Sequence, residues 1–403
     1  MSDAGNTNSG GPTPFIGSAD FYGYSDLLTS AERDVLARLR HYLAEEAEPV
    51  LAGYWERGET PLFLRDGLTG LDLVEPAELR DAGEAVRSLF IGFRNLEFSR
   101  VDGSLAILFG GQAGMFRTIV RTGGSDEQLE AWDDAIAGFR MTGCFALTEP
   151  DHGSDIARGV QTEARRAGEG WVLNGAKRWI GNAAFSEYVA VAAKDTDDGQ
   201  VKVFLARTDD PGLEIAKIEG KTSLRMVHNA DIGLRDVRVP ETHRLQRINS
   251  FADLNRAFET LRPDVVWNAT GLQIGLYETV LAYAKQREQF GRPIASFQLV
   301  QDHLVTMLGN ANASLALAVR LSQLADAGGV SGEQAALAKT WVCRHMRQSA
   351  ALGRELLGGN GILLEHKAAR FHADAESLYT FEGTDQINTL IVGRAITGHS
   401  AFL

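Results

Sequence analysis

Trp171-Val172-Leu173-Asn174-Gly175-Ala176-Lys177-Arg178-Trp179-Ile180 is the stretch that divides this chain. Two apolar runs flank an Asn-Gly step, the strongest short-range signal for a β-hairpin, because both residues accept the positive φ of a tight turn. The stretch therefore predicts a hairpin. Outward from it, between about Gly143 and Pro240, the chain breaks into short runs of period-two or continuous apolar character. These are Cys144 to Thr148, Tyr188 to Ala193, Val201 to Ala206 and Leu213 to Ile218. Turn residues separate them at the spacing of an antiparallel barrel or sandwich.

Both flanks read as helical. On the N-terminal side Ser30 is an N-cap candidate, and Val35, Leu36, Leu39, Tyr42 and Leu43 recur at helical spacing up to about Glu48, before Pro49. Further helices are expected from Glu78 to Phe98, from Ser104 to Val120 and from Ser125 onward. On the C-terminal side Pro263 is placed near a helix start and leads into Val265, Val266, Ala269, Leu272, Leu276, Val280 and Tyr283, ending near Arg287. Helices from Phe297 to Leu324 and from Gly332 to Leu357 follow. Gly358-Gly359-Asn360-Gly361 stops the second with residues suited to positive φ, and a last helix is expected from about Thr384 to Ile396. The reading is an α+β multidomain chain: a tail over 1–20, a helical domain over 21–142, a β domain over 143–245 and a helical domain over 246–403.

The chain has 403 residues, 44% hydrophobic and 23% charged, the balance of a globular protein with room for two or three domains. Its formal charge of −13 opposes a phosphate backbone, so nucleic acid is not an expected partner. Cys144 and Cys343 stand alone, without the spacing of a zinc site or a disulfide framework, which fits a reducing compartment. The opening MSDAGNTNSGGPTPFIG lacks the basic and apolar regions of a signal peptide, and no apolar run approaches the ~18 residues of a membrane span. A cytoplasmic location and no membrane association are expected.

Four stretches carry polar chemistry: Leu147-Thr148-Glu149-Pro150-Asp151-His152-Gly153-Ser154-Asp155, then Lys177-Arg178-Trp179-Ile180-Gly181-Asn182, then Arg287-Glu288-Gln289-Phe290-Gly291, and the region from Gly358 to Gln386. Gly170 to Lys177 reads G-x-x-x-x-G-A-K, one residue from a phosphate-binding P-loop, but a strand rather than a helix follows it. No G-x-G-x-x-G is present. In Phe381-Glu382-Gly383-Thr384-Asp385-Gln386-Ile387 a carboxylate stands at the mouth of a helix. Position alone leaves Glu382 as either a base or a dipole-stabilised surface acid. Likewise Thr148 reads as a strand-end hydroxyl or a ligand contact, and Trp179 as barrel core or a stacking ring. The histidines show no paired spacing for a metal.

Taken together, LTEPDHGSD, KRWIGN, REQFGRP, GGNGI and FEGTDQI resemble, in order and spacing, the acyl-CoA dehydrogenase and acyl-CoA oxidase flavoproteins, and among them the glutaryl-CoA-dehydrogenase-like branch. The resemblance is close from about Gly143 to Gly398 and looser before it. It implies the acyl-CoA dehydrogenase fold: an N-terminal helical domain, a middle β-barrel and a C-terminal four-helix bundle. It also implies non-covalently held FAD and a homotetramer in which a neighbouring subunit completes the cofactor site. Carried over by motif, Glu382 is the base that removes the α-proton of an acyl-CoA thioester, and Arg262 lies near it. Thr148 and Trp179 meet the flavin ring; Arg287 and Phe290 meet the diphosphate and adenine. Gln298, Gly358, Gly359, Thr384 and Gln386 complete the cofactor site, and Leu147, Ser154, Gly181, Gln289 and Glu355 belong to the same set. No metal is implied. The electrons pass to an electron-transferring flavoprotein or to oxygen, and the setting is fatty acid metabolism.

The chain departs from that pattern in places. Family members that carry the base on the preceding long helix place it where this chain has Leu261, which leaves Glu382 alone. The positions that recognise a distal carboxylate in glutaryl-CoA dehydrogenases fall on Ser99 and Ala106, so glutaryl-CoA is an expected poor substrate. Gly181 stands where most dehydrogenases have Thr, as in short-chain oxidases of the branch, so oxygen is a second expected acceptor. A non-catalytic subunit, or a flavoprotein of the same fold with another substrate, is the remaining alternative.

Overall fold

The computed structural model describes residues 17–401. Most of the expected tail, residues 1–16, lies outside them. Its end does not behave as a tail: Gly17–Ala19 forms a helical turn, Ala19 is buried, and Asn312 bonds both the Ala19 carbonyl and the Phe21 N–H at 3.0 Å.

The N-terminal helices are α1 (Ser30–Tyr42), α2 (Glu48–Arg57), α3 (Phe63–Gly70), α4 (Ala77–Asp81), α5 (Ser88–Val101), α6 (Gly103–Gly110), α7 (Arg117–Gly123) and α8 (Asp126–Ala137). Thr29 rather than Ser30 caps α1, forming a reciprocal box with Glu32, and Ser125 does the same with Gln128 for α8. The helix expected from Glu78 to Phe98 is two helices. Gly83 at φ 69 ends the first, and α5 starts afresh after Arg87.

The middle domain holds β1 (Gly143–Ala146), the short helix α9 (Ile156–Gly159), β2 (Glu163–Ala167), β3 (Gly170–Gly181), β4 (Tyr188–Asp195), β5 (Val201–Arg207), β6 (Leu213–Lys217) and β7 (Asn229–Pro240). They form one curled sheet in the order β1-β4-β2-β3-β7-β6, with β5 on β4. It is mixed rather than wholly antiparallel, since β4 runs parallel to β1 and β2. Asn174-Gly175 is not a hairpin turn. β3 passes straight through it, and the tight turn lies at Gly168-Glu169, between β2 and β3. The Asn174 side chain bonds both the N–H and the carboxylate of Asp236 across on β7, which absorbs the irregularity as a bulge inside the ladder.

The C-terminal bundle comprises α10 (Phe251–Gln286), α11 (Gln298–Asp326), α12 (Gly332–Leu356), α13 (Lys367–Thr380) and α14 (Asp385–Thr397), with a two-residue ladder β8 (Glu288–Gln289) and β9 (Arg292–Pro293) after α10. Pro263 does not mark a helix start. Ser250 caps α10, and the helix runs on through Pro263 for 36 residues; proline merely withholds one donor from the ladder. Arg262 is thus a mid-helix residue. α11 is long and apolar enough to span a membrane by composition, against the sequence expectation, but half of its apolar window is buried in the bundle. α5 and α10 touch backbone to backbone: a Cβ at Gly275 would stand 2.0 Å from the Arg100 carbonyl, and one at Gly271 2.4 Å from that of Leu96.

A buried ion pair fixes the sheet to its functional loop. Lys177 on β3 donates to Glu149 Oε1 at 2.8 Å and to the Leu147 carbonyl at 3.0 Å, and Glu149 also accepts the N–H groups of Gln161 and Thr162. Burial pushes the Lys177 ammonium down to about 8, against the pull of Glu149. Breaking such a pair strands a charge. Lys177→Met is expected to lose about 3 kcal/mol or more in urea unfolding, and Lys177→Met/Glu149→Gln to regain most of it.

Candidate functional site

Between α13 and α14 lie Phe381, Glu382 and Gly383. Glu382 has φ 53 and Gly383 φ 87, two successive left-handed residues. Glycine accepts this freely, whereas a glutamate there is strained by roughly 1–2 kcal/mol. Lys339 on α12, only 2% exposed, holds the turn: its Nζ donates to the Phe381 carbonyl at 2.6 Å and to that of Gly383. Asn388 adds bonds to the carbonyls of Gly383 and Thr384, at 2.8 and 3.0 Å. Thr384 caps α14 by accepting the Ile387 N–H. Among the described residues neither the Glu382 carboxyl nor its N–H has a hydrogen-bond partner.

The surroundings raise the proton affinity of that carboxyl. Burial and the neighbouring Asp264 carboxylate push Glu382 up to about 8, with Lys339 and Arg262 pulling the other way. Asp264 is itself pushed up to about 6 by burial, opposed by Arg94 and Asn95. Burial lowers Arg262, against the pull of Glu382, Glu259 and Glu333. Leu261 is buried and carries no proton. Glu382 is therefore not the lone carboxyl at this place: Asp264, one turn along from Leu261 and on the same helix, is a second.

On the sheet side, the N–H of Arg178, the residue before Trp179, donates to the Thr148 carbonyl at 2.8 Å. The Thr148 hydroxyl has no partner among the described residues. Trp179 sits at φ 65 and is 51% exposed, so the indole leaves the sheet rather than filling its core. Gly181 is adjacent. A Cβ there would meet only Val227 and Asn229, at 3.6 and 3.8 Å, so the position is open. Leu147 anchors Lys177 through its carbonyl, and Ser154 lies exposed on the following loop. Asn182, buried at φ 65, ties this edge to α6 through the Leu108 carbonyl at 3.0 Å.

The third group sits at the far end of α10. Arg287, Gln289, Phe290 and Gln298 are exposed; Phe290 is 94% so, at φ 54. The Tyr283 hydroxyl accepts from Asn360 at 3.0 Å, which brings Gly358 and Gly359 toward the same end, and Glu355 faces His303 at 3.8 Å. Nothing lies within 4 Å of a Cβ at Gly291, Gly358 or Gly359. Gln386 is exposed on the first turn of α14. Among the described residues no hydrogen bond joins the Glu382 group, the sheet group and the α10-end group within one chain. Lys339 and Asp264 went unmarked by motif reasoning. A lysine at a helical core position was the available signal for the first, and a carboxylate three residues past Leu261 for the second.

Two family models match: "Acyl-CoA dehydrogenase, middle domain" over residues 144–237 and "Acyl-CoA dehydrogenase, C-terminal domain" over 251–397. A probable acyl-CoA dehydrogenase of Bacillus subtilis is 29% identical, over 92% of this chain and 98% of its own. The human mitochondrial short-chain specific acyl-CoA dehydrogenase is 30% identical, over 91% of this chain and 90% of its own. A solved glutaryl-CoA dehydrogenase of Mycobacterium smegmatis, in complex with FADH2, superposes with a TM-score of 0.89 at 32% identity, over 97% of this chain and all of that one.

Because the folded Glu382 carboxyl lies above its ordinary value of 4.5, the stability it lends is present below that value and is lost as pH rises through about 8. Glu382→Gln is therefore expected to melt with wild type at pH 4.5 and above it at pH 8.5, in paired thermal scans. Equal melting temperatures at both pH values would show that the carboxyl is not perturbed.

Proposed function

The chain belongs to the acyl-CoA dehydrogenase family, and from that membership we propose that it is an FAD-dependent α,β-dehydrogenase of acyl-CoA thioesters in which Glu382 is the base. One observation carries the assignment. A carboxyl without a partner is held in a strained turn, beside a free N–H of the same residue, where burial keeps its proton affinity high. A general base works best with a proton affinity near the operating pH, and an N–H aimed at the thioester oxygen makes the α-proton more acidic by stabilising the enolate as it forms. Arg262 and Lys339 supply positive charge that opposes the Asp264 carboxylate, so the ionised base is not left alone among carboxylates.

The residues present fit a flavin dinucleotide. The unpartnered Thr148 hydroxyl and the projecting Trp179 indole suit the ring, the free fork of Arg287 suits the diphosphate, and the open Gly358 and Gly359 let backbone approach it. Thr384 and Gln386 stand at a helix N-terminus, where anions are favoured. Bound FAD supplies the acceptor for the β-hydrogen, which leaves as hydride. Phe290, Leu299 and Ile362 are large apolar side chains left uncovered around the α10 end, which supports a homotetramer in which a second copy closes the site.

The final acceptor is an electron-transferring flavoprotein or oxygen. The space at Gly181 favours keeping the oxidase alternative, since no side chain there screens the neighbourhood of Trp179. Ser99 is buried and donates to Asn268 at 3.1 Å, Ala106 is apolar, and the Arg100 guanidinium is engaged by Glu278 and Glu97. None of the three offers a free cation to a second carboxylate.

The purified protein is expected to be yellow and to be bleached anaerobically by butyryl-CoA, with bleaching slowed at least about 10³-fold in Glu382→Gln, the loss of a proton-transfer group together with its charge. Glutaryl-CoA is expected to react at less than about one tenth of the butyryl-CoA rate, its distal charge being desolvated without a partner. A yellow protein that no thioester bleaches would contradict the proposal, and rapid glutaryl-CoA turnover with release of CO₂ would contradict the specificity.

A further inference from the structure

Beneath the base, α5 brings two consecutive polar side chains into an apolar interior. Arg94 and Asn95 are buried. Arg94 Nη1 donates to the Leu73 carbonyl at 3.0 Å, Nη2 donates to Asn95 Oδ1 at 3.3 Å, and the guanidinium lies over the Phe109 ring. Its Nε has no partner. Asn95 Nδ2 in turn donates to Asp264 Oδ1 at 3.0 Å. The chain of bonds stops there. Asp264 Oδ2 accepts no hydrogen bond among the described residues, yet it is not sealed in, and a Cβ at Gly114 would stand 3.2 Å from it.

Folding alone does not call for this arrangement. A buried ionic chain is, as a rule, no more stable than well-packed apolar residues of the same size, and a carboxylate oxygen left unpaired is unfavourable. Asn95, itself bonded by Arg94, fixes Asp264 through Oδ1. The open oxygen is turned toward Gly114, and the carboxyl lies near enough to Glu382 for the two charges to repel. Glycine at 114 keeps the approach free of side chain. A carboxylate fixed through one oxygen by the Asn95 amide, with its other oxygen open, is built to meet a donor that the protein does not supply.

We infer that Asp264, held by Asn95 and Arg94, accepts a hydrogen bond from a hydroxyl group on the acyl chain of the substrate, so that the preferred thioester is a hydroxyacyl-CoA with the hydroxyl beyond the reacting α and β carbons. The inference rests on Glu382 being the base, because that places the acyl chain beside Asp264. It also agrees with the disfavour toward a distal carboxylate, which Asp264 would repel.

The test compares anaerobic flavin bleaching by butyryl-CoA with 4-hydroxybutyryl-CoA, and by valeryl-CoA with 5-hydroxyvaleryl-CoA. Wild type is expected to favour the hydroxylated member of at least one pair by about tenfold or more, as a site with an unpaired buried acceptor should. Asp264→Ala is expected to bring that ratio within about twofold, and Asn95→Ala, which leaves the carboxylate but frees its orientation, to narrow it. Flavin content and melting temperature report folding, and the Asn95 variant decides the matter if Asp264→Ala does not fold. Bleaching by the plain thioesters with no preference for either hydroxylated partner, or a preference that survives both substitutions, would overturn the inference while leaving Glu382 as base. Bleaching by none of the four would overturn both.

Discussion

The ammonium of Lys339 binds the carbonyls on either side of Glu382, and the shape of this end of the bundle follows from that one contact. Two carbonyls drawn to a common cation cannot remain in a helical ladder. The chain between α13 and α14 is forced through two left-handed residues, and the Glu382 carboxyl and N–H are both left without partners among the described residues. A glycine at 382 would adopt the turn without strain; the glutamate does so because a buried charge and Asn388 hold its neighbours. The same charge sits close enough to offset part of the repulsion between Glu382 and Asp264. One buried lysine thus acts on conformation and on proton affinity together.

The second constraint is the approach of α5 to α10. Gly271 and Gly275 admit the carbonyls of Leu96 and Arg100 to distances that no side chain would allow. This contact carries Asn95 to Asp264 and so ties the N-terminal helices to the carboxylate that neighbours Glu382. The sheet contributes its own fixed edge: Lys177 and Glu149 pin the loop that presents Thr148, and β3 continues from Lys177 to Trp179 and Gly181. The sheet edge is thus backed by a buried ion pair and the Glu382 turn by a buried ammonium, whereas the residues at the end of α10 are exposed.

Much of this was legible in the sequence. The helix–sheet–helix order, the start of α8 at Ser125 and the Thr384 start of α14 followed from periodicity and polar helix-start residues, and Glu382 does stand at the mouth of a helix. The failures have physical causes. Asn174-Gly175 carries a hairpin signal, but Asp236, far off in sequence, satisfies Asn174 across the ladder, and the strand runs on. Pro263 resembles a helix start, but Ser250 upstream had already nucleated α10, whose burial outweighs one missing bond. Lys339 and Asp264 were missed because their meaning lies in what they face after folding. A lysine among apolar helix positions reads as a solvated side chain until the carbonyls it binds are known.

The claim on which the account turns is that Glu382 removes the α-proton, and isotope exchange tests this without any need for net oxidation. A 3-thiaacyl-CoA, acidified at its α-carbon and with sulfur at the β position so that no β-hydrogen is there to leave, can be incubated with the holoprotein in D₂O and followed by NMR. The account predicts wash-in of deuterium at the α-carbon by wild type, rising with pH toward about 8, and none above the solution rate for Glu382→Gln. Undiminished exchange by the Gln variant would place the base elsewhere and contradict it.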